Sequence, residues 1–187
     1  MEEYLKAFNI FSDKEIEEVI ELGTYQELKK NDFFTKEGDI SSSLAFVKDG
    51  IFRSYYLSQS EEEITYCLTF PNSFITAYSS YISQEKTKIN IQAMTDIQLI
   101  SLPKSEMDSL VNSSKNWLLF FKIITEQYYI ALENRVFQLQ TEKAETRYKN
   151  LITHRPEYIQ KVPLQYLASY LGITQRHLSR LRANISF

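Results

Sequence analysis

Apolar and polar residues follow each other along this chain in three successive rhythms. Ile16, Val19 and Ile20 stand at i, i+3 and i+4, and Ser12 and Glu15 stand ahead of them at capping-box spacing. Residues 12 to about 22 are therefore predicted as a short amphipathic helix. The second rhythm is short and β-rich. "LAFVKDGIFRSYYL" (44 to 57), "EITYCLTF" (63 to 70), "KINIQAM" (88 to 94) and "DIQLISLP" (96 to 103) carry β-branched and aromatic residues between Gly, Asn, Asp and Pro punctuation, and "SSS" at 41 to 43 looks like a loop. Such spacing predicts an antiparallel barrel or sandwich.

From Ser113 the period becomes helical and holds to Gln140. Trp117, Phe121, Ile124, Tyr128 and Ala131 alternate steps of four and three, the pattern of a coiled-coil seam. Leu119, Ile123 and Ile130 lie beside that seam, so the helix needs two partners. The strand domain can cover one face and the same helix of a second subunit the other, which predicts a two-fold dimer.

The last segment, "LASYLGITQRHLSRLR" (167 to 182), has the spacing of a helix-turn-helix: Ala168, Gly172 and Leu178 stand as A-x3-G-x5-L. A small residue lets two helices cross closely, Gly172 can take a positive φ in the turn, and Leu178 packs the second helix onto the first. Thr174 is placed to cap the second helix. With Leu178, Leu181 and Ile185 inward, Gln175, Arg176, Ser179, Arg180, Arg182 and Ala183 face outward. Arginine pairs bidentately with guanine, glutamine with adenine, and small residues allow close approach to a major groove. Gln175, Arg176, Ser179 and Arg180 are the candidates for base readout, with Thr174 and Arg182 at phosphate. His177 is expected to face solvent, and His154, before Arg155-Pro156, to meet the final carbonyls of a helix.

Charge strengthens this picture. The whole chain is at −3, yet from Thr141 onward eight basic residues (Lys143, Arg147, Lys149, Arg155, Lys161, Arg176, Arg180, Arg182) face three acids (Glu142, Glu145, Glu157). That segment is at +5 and the remainder at −8. A basic module inside an acidic chain is the footprint of a segment that meets phosphates.

Composition removes other classes. Trp117 to Phe121 is the longest uninterrupted apolar run of the most hydrophobic region, far short of the ~18 residues of a membrane span. The N-terminus begins with acids and has no secretory signal, so a cytoplasmic location is expected. A lone Cys67 supplies neither a disulfide nor a cysteine cluster and is expected as a half-buried strand residue. Both histidines, His154 and His177, lie in the basic module, leaving the strands without imidazole ligands, and the chain has no GxSxG, HExxH, P-loop or GxGxxG motif. No catalytic residue, no metal site and no enzyme activity are expected.

Over its whole length the chain resembles the Crp/Fnr family of bacterial transcription regulators. "FFTKEGDISSSLAFVKDGIFRSYY" is similar to the family's entry into its β-roll, "AETRYKNLI" (144 to 152) to its first helix after the dimerisation helix, and "VPLQYLASYLGITQRHLSRLR" to its helix-turn-helix. The resemblance implies an α+β fold: an antiparallel β-roll of the cyclic-nucleotide-binding type over 1–112, a dimerisation helix over 113–140 and a DNA-binding domain over 141–187. Double-stranded DNA, a second copy of the chain and RNA polymerase are the partners it implies.

Two departures qualify it. Members that bind cyclic nucleotides carry a cassette with a Gly-Glu start and an Arg-Ser or Arg-Thr pair, whereas here the region reads "FPNSFITAYSSYISQEKTKINIQA", with Thr87-Lys88 in place of the pair. A lysine attracts phosphate only as a point charge. The expected pocket is therefore empty, filled by side chains such as Phe74 and Tyr78, or adapted around Lys86, Thr87 and Lys88 to another small molecule. Cyclic AMP is not expected as the switch, and no cofactor is expected. The second departure is that only "ANISF" follows Arg182, too short for a long C-terminal wing. The sequence leads to a homodimeric DNA-binding regulator acting on an inverted-repeat operator. The competing reading is a ligand-sensing or protein-interaction module with a degenerate helix-turn-helix, and salt-dependent DNA binding separates the two.

Overall fold

The computed structural model describes residues 1–184, so the expectations for Ile185 and for the segment replacing a wing fall wholly or partly outside it. The elements run α1 (Glu2–Lys6), α2 (Asp13–Leu22), β1 (Thr24–Leu28), β2 (Phe33–Thr35), β3 (Ser43–Asp49), β4 (Phe52–Leu57), β5 (Glu63–Thr69), β6 (Ser73–Ile75), α3 (Tyr78–Ser83), β7 (Asn90–Ala93) and β8 (Ile97–Pro103). Then come α4 (Lys104–Ser113), α5 (Lys115–Thr141), α6 (Ala144–His154), α7 (Pro156–Lys161), α8 (Leu164–Tyr170) and α9 (Gln175–Asn184).

The predicted capping box is formed: Ser12 accepts from the Glu15 backbone while the Glu15 side chain reaches back to Ser12. The stretch 44 to 57 is two strands rather than one. Gly50 turns the chain between them at φ +90, where a Cβ would stand 2.4 Å from the Asp96 carbonyl oxygen. Sequence rhythm missed β1, β2 and β6. The last two have three residues each, too few to show a period.

The strands form two four-stranded sheets, β1-β8-β3-β6 and β2-β7-β4-β5. Alternation along β3 divides the interior in two. Ala45 and Val47 face the second sheet, sharing a core with Phe52, Ile75, Ile91, Ala93, Ile97 and Leu99. Leu44 and Phe46 face the helices, where Leu5, Ile16, Val19, Leu102, Met107, Leu110, Trp117 and Phe120 complete a second core. Rings dominate there: Phe11 and Trp117 lie 4.4 Å apart and Phe8 and Phe120 5.0 Å apart. Burying such side chains contributes about 1.5–3 kcal/mol each.

The chain divides into two compact units, Met1–Tyr56 with Cys67–Thr125, and Leu57–Tyr66 with the chain from Glu126 onward. The division falls within α5 and assigns the β4–β5 hairpin tip to the C-terminal unit.

Candidate nucleic-acid interface

In the C-terminal unit Tyr148, Leu151, Val162, Leu167, Ala168, Leu171 and Leu178 are buried. α8 and α9 are the two helices of the predicted motif. Gly172 makes the turn at φ +67, and a Cβ there would approach Leu139 Cδ2 to 3.1 Å. Ala168 is 1% exposed and Leu178 0%, the close crossing that the A-x3-G-x5-L spacing requires. Thr174 caps α9, its Oγ1 accepting from the His177 backbone N–H at 3.2 Å. Ser and Thr suit this position because a short hydroxyl satisfies an amide that the helix leaves unpaired.

α9 presents Gln175, Arg176, Ser179 and Arg180 exposed, with no acid in its sequence. Arg182 differs. It is half-buried, and its Nε and Nη2 lie out of reach of solvent, which turns the fork away from the face where a phosphate was expected. The reason is its place in the helix: Arg182 follows buried Leu178 by four residues and so shares its inward side. His177 is half-buried rather than fully solvent-facing. His154 Nδ1 lies 2.9 Å from the Asn150 carbonyl oxygen at the end of α6, as the sequence suggested.

The turn into α9 is held by polar groups that hydrophobic patterning could not reveal. Arg147 on α6 donates from Nε and Nη2 to the Leu171 carbonyl at 3.1 and 2.9 Å, and from Nη1 to the carbonyls of Gln138 (3.4 Å) and Glu142. Arg135 on α5 donates to the Tyr170 carbonyl and stacks its guanidinium 3.8 Å from the centre of the Tyr170 ring. Arg147 belonged to the predicted basic face. Its fork is instead spent on backbone carbonyls, leaving Lys161, Arg176 and Arg180 among the exposed cations.

The dimer-seam residues divide at the middle of α5. Trp117 is 1% exposed, buried in the core of its own subunit, and Phe121 and Ile124 pack half-buried against the same core. Trp117 is therefore a core residue, not a seam residue. The aromatic cluster of Phe11 and Phe120 claims it, a tertiary choice that a four-three repeat does not encode. Tyr128 and Ala131 are exposed. One step around the helix, Leu118, Tyr129, Leu132, Val136 and Leu139 are exposed at 40–65% and keep the four-three register.

The predicted effector residues do not gather around one pocket. Phe74 faces the helix side of its sheet, opposite Phe46 in register and against the Tyr4 and Phe120 rings. It does not fill the roll interior; its neighbour Ile75 does. Tyr78 is exposed and its hydroxyl lies 3.1 Å from Thr125 Oγ1. Lys86 and Lys88 are exposed. Thr87 is buried, its Oγ1 accepting from the Ile89 N–H and its backbone paired with Gly38 and Asp39. Those two residues belong to the loop beside an open recess of about 260 Å³, lined by Phe34, Thr35, Asp39, Ile40, Ser41, Ser42 and Ser43. Cys67 is half-buried in β5. No helix among the described residues is long and apolar enough to cross a membrane.

Comparison with known proteins places this geometry. Residues 25–114 match the family model of the cyclic nucleotide-binding domain. No curated protein matches the chain in sequence. Among solved structures, a transcriptional regulator of the Crp/Fnr family from Eubacterium rectale superposes with TM-score 0.75 at 17% identity, over 97% of this chain and 87% of that one. The c-di-GMP-responsive global regulator CLP from Xanthomonas campestris gives 0.74 at 14%, over 92% and 91%. FixK2 from Bradyrhizobium japonicum gives 0.74 at 16%, over 87% and 83%. Residues 25–114 are thus similar to the cyclic nucleotide-binding domain, and the chain has the fold of the Crp/Fnr transcription regulators.

Proposed function

We propose that this protein is a sequence-specific DNA-binding transcription regulator of Crp/Fnr type, not an enzyme, that acts in the cytoplasm as a homodimer on an inverted-repeat operator. The observation that carries this is α9: a Thr174-capped, acid-free helix that closes a Gly172 turn and exposes Gln175, Arg176, Ser179 and Arg180 together. Arginine supplies paired donors for a guanine edge, and glutamine a donor and an acceptor for an adenine edge. Thr174 and Lys161, both exposed, are suited to phosphate.

The second copy pairs along Leu118, Tyr129, Leu132, Val136 and Leu139. Five large apolar side chains in coiled-coil register on one exposed face call for an apolar partner, and a second copy of the same face supplies one. RNA polymerase is a further partner that the Crp/Fnr type suggests.

Cyclic AMP is not the switch in this reading. Between Phe70 and Ala93 there is no arginine to fork onto a cyclic phosphate, Lys86 and Lys88 point to solvent, and apolar side chains from both sheets fill the roll interior. A missing charge-assisted pair costs about 1.5–3 kcal/mol of binding. Selection of bound sequences from a random DNA pool, repeated at rising salt, tests the reading. Enriched inverted repeats whose affinity falls steeply with salt are expected. Absence of enrichment, with binding of small molecules or proteins instead, would favour a sensor whose helix-turn-helix is degenerate.

A further inference from the structure

The β4–β5 hairpin tip meets α8 through one side chain. Ser169 Oγ accepts from the Thr65 backbone N–H at 2.9 Å and donates to the Glu63 carbonyl at 3.0 Å. Residues 63 and 65 lie on β5, the last strand of its sheet, and a strand's residue i carbonyl and residue i+2 N–H face the same edge. The hydroxyl therefore occupies the place that a further strand's backbone would take. A short hydroxyl, which donates and accepts at one atom, can do this, so Ser or Thr suits the position.

The strand end that Ser169 grasps is itself ordered. Ser58 Oγ accepts from the Ser60 and Glu62 backbone N–H groups at 3.2 and 3.1 Å, the Ser58 N–H donates to the Glu62 carbonyl at 2.9 Å, and Glu61 closes the tip at φ +63. Ser169 is followed directly by Tyr170 and Leu171, whose carbonyls Arg135 and Arg147 hold. Three consecutive residues before the Gly172 turn are thus each fixed from a different element: the hairpin, α5 and α6.

Resting on the reading of α9 as the DNA-reading helix, we propose that Ser169 is a positioning residue for DNA recognition. It fastens the helix-turn-helix to the β4–β5 hairpin, so that α9 meets DNA already oriented. None of the exposed α9 side chains takes part in the clamp, so the clamp and base readout are compatible. Its contribution is preorganisation: without it, the orientation of α8 and α9 has to be ordered at the moment of binding.

Amide hydrogen exchange and operator binding on the full-length protein test this, using Ser169→Ala and Ser169→Thr. In Ser169→Ala the Thr65 amide is expected to exchange at least about tenfold faster, and operator affinity to fall about tenfold with the order of preferred bases unchanged. Ser169→Thr, which keeps the hydroxyl, is expected to restore both. Unchanged Thr65 exchange in Ser169→Ala overturns the clamp. Faster exchange with unchanged operator affinity overturns its positioning role, and so does a changed base preference, which would make Ser169 a readout residue. If the wild-type protein binds no DNA, the function reading fails, while the Thr65 exchange still reports on the clamp.

Discussion

The two units of this molecule are held together by different physics. In the N-terminal unit Phe46, Phe74, Trp117 and Phe120 sit in a buried aromatic core, with Tyr4, Phe8 and Phe11 against it. Among its described residues the C-terminal unit buries fewer and smaller side chains, of which Tyr148 alone is aromatic. It fixes the end of α8, ahead of the Gly172 turn, with hydrogen bonds from Arg135, Arg147 and Ser169 to backbone. Apolar area sets how strongly a unit folds but is non-directional. Guanidinium and hydroxyl bonds contribute about 0.5–3 kcal/mol each and, unlike apolar contacts, also fix orientation. On the proposed reading of α9, presenting four side chains to a groove depends on the second kind.

The largest expected effect breaks the first unit. Trp117→Ala should cost about 3–5 kcal/mol in thermal or denaturant unfolding, because it opens a cavity among Phe11 and Phe120. Trp117→Phe should cost far less, since the indole Nε1 is buried without a hydrogen-bond partner among the described residues. This also separates core from seam. Leu132→Glu, on the exposed face of α5, should leave unfolding of the N-terminal unit nearly unchanged but yield monomers by light scattering. Loss of the second half-site contact should then weaken operator binding at least about a hundredfold.

Arg147→Met probes the polar unit. It keeps much of the aliphatic volume but leaves the carbonyl of Leu171 without its two guanidinium bonds and those of Gln138 and Glu142 without one each. A loss of about 2 kcal/mol is expected, read as earlier unfolding of the C-terminal unit by hydrogen exchange, with the N-terminal unit unaffected.

A smaller effect depends on pH. Burial would raise the Glu15 pKa, but hydrogen bonds from the Ser12 backbone, Ser114, Asn116 and the Ser12 hydroxyl outweigh it and hold the carboxyl at about 2, against an ordinary 4.5. A depressed carboxyl contributes stability above its unfolded pKa and loses it as pH falls through the folded one. The window here runs from about 4.5 down to about 2. Because the site is only partly buried, about 1–2 kcal/mol is expected to disappear across that window after allowing for solvent screening. In Glu15→Gln this part of the acid dependence should vanish.

What could be read from the sequence follows the same division. The α2 capping box, the helical stretch of α5 and the whole A-x3-G-x5-L motif were legible because each is a local spacing with a local cause: Ser12 with Glu15, Gly172 at its turn, Thr174 at its cap. The inward face of α5 was not. Residues 117, 121 and 124 keep a seam's register, and only the tertiary neighbours of Trp117 decide that this row belongs to its own core. Phe74 was misplaced because the parity of a three-residue strand is set by its pairing with Phe46, not by its own pattern. Arg147 and Arg182 were counted as surface cations because composition does not reveal which guanidiniums turn inward.

The role of α9 as the reading element is tested most directly by one comparison: selected DNA sequences for the wild type and for Arg180→Ala at fixed salt. The wild type should enrich an inverted repeat with half-sites about one helical turn apart, roughly 34–36 Å. Arg180→Ala should lose about 1–3 kcal/mol and relax preference at one position in each half-site, while Lys161→Ala weakens all sequences alike. Selected sites without a dyad, or an Arg180→Ala protein with unchanged base preference, would contradict the assignment of α9 to the major groove.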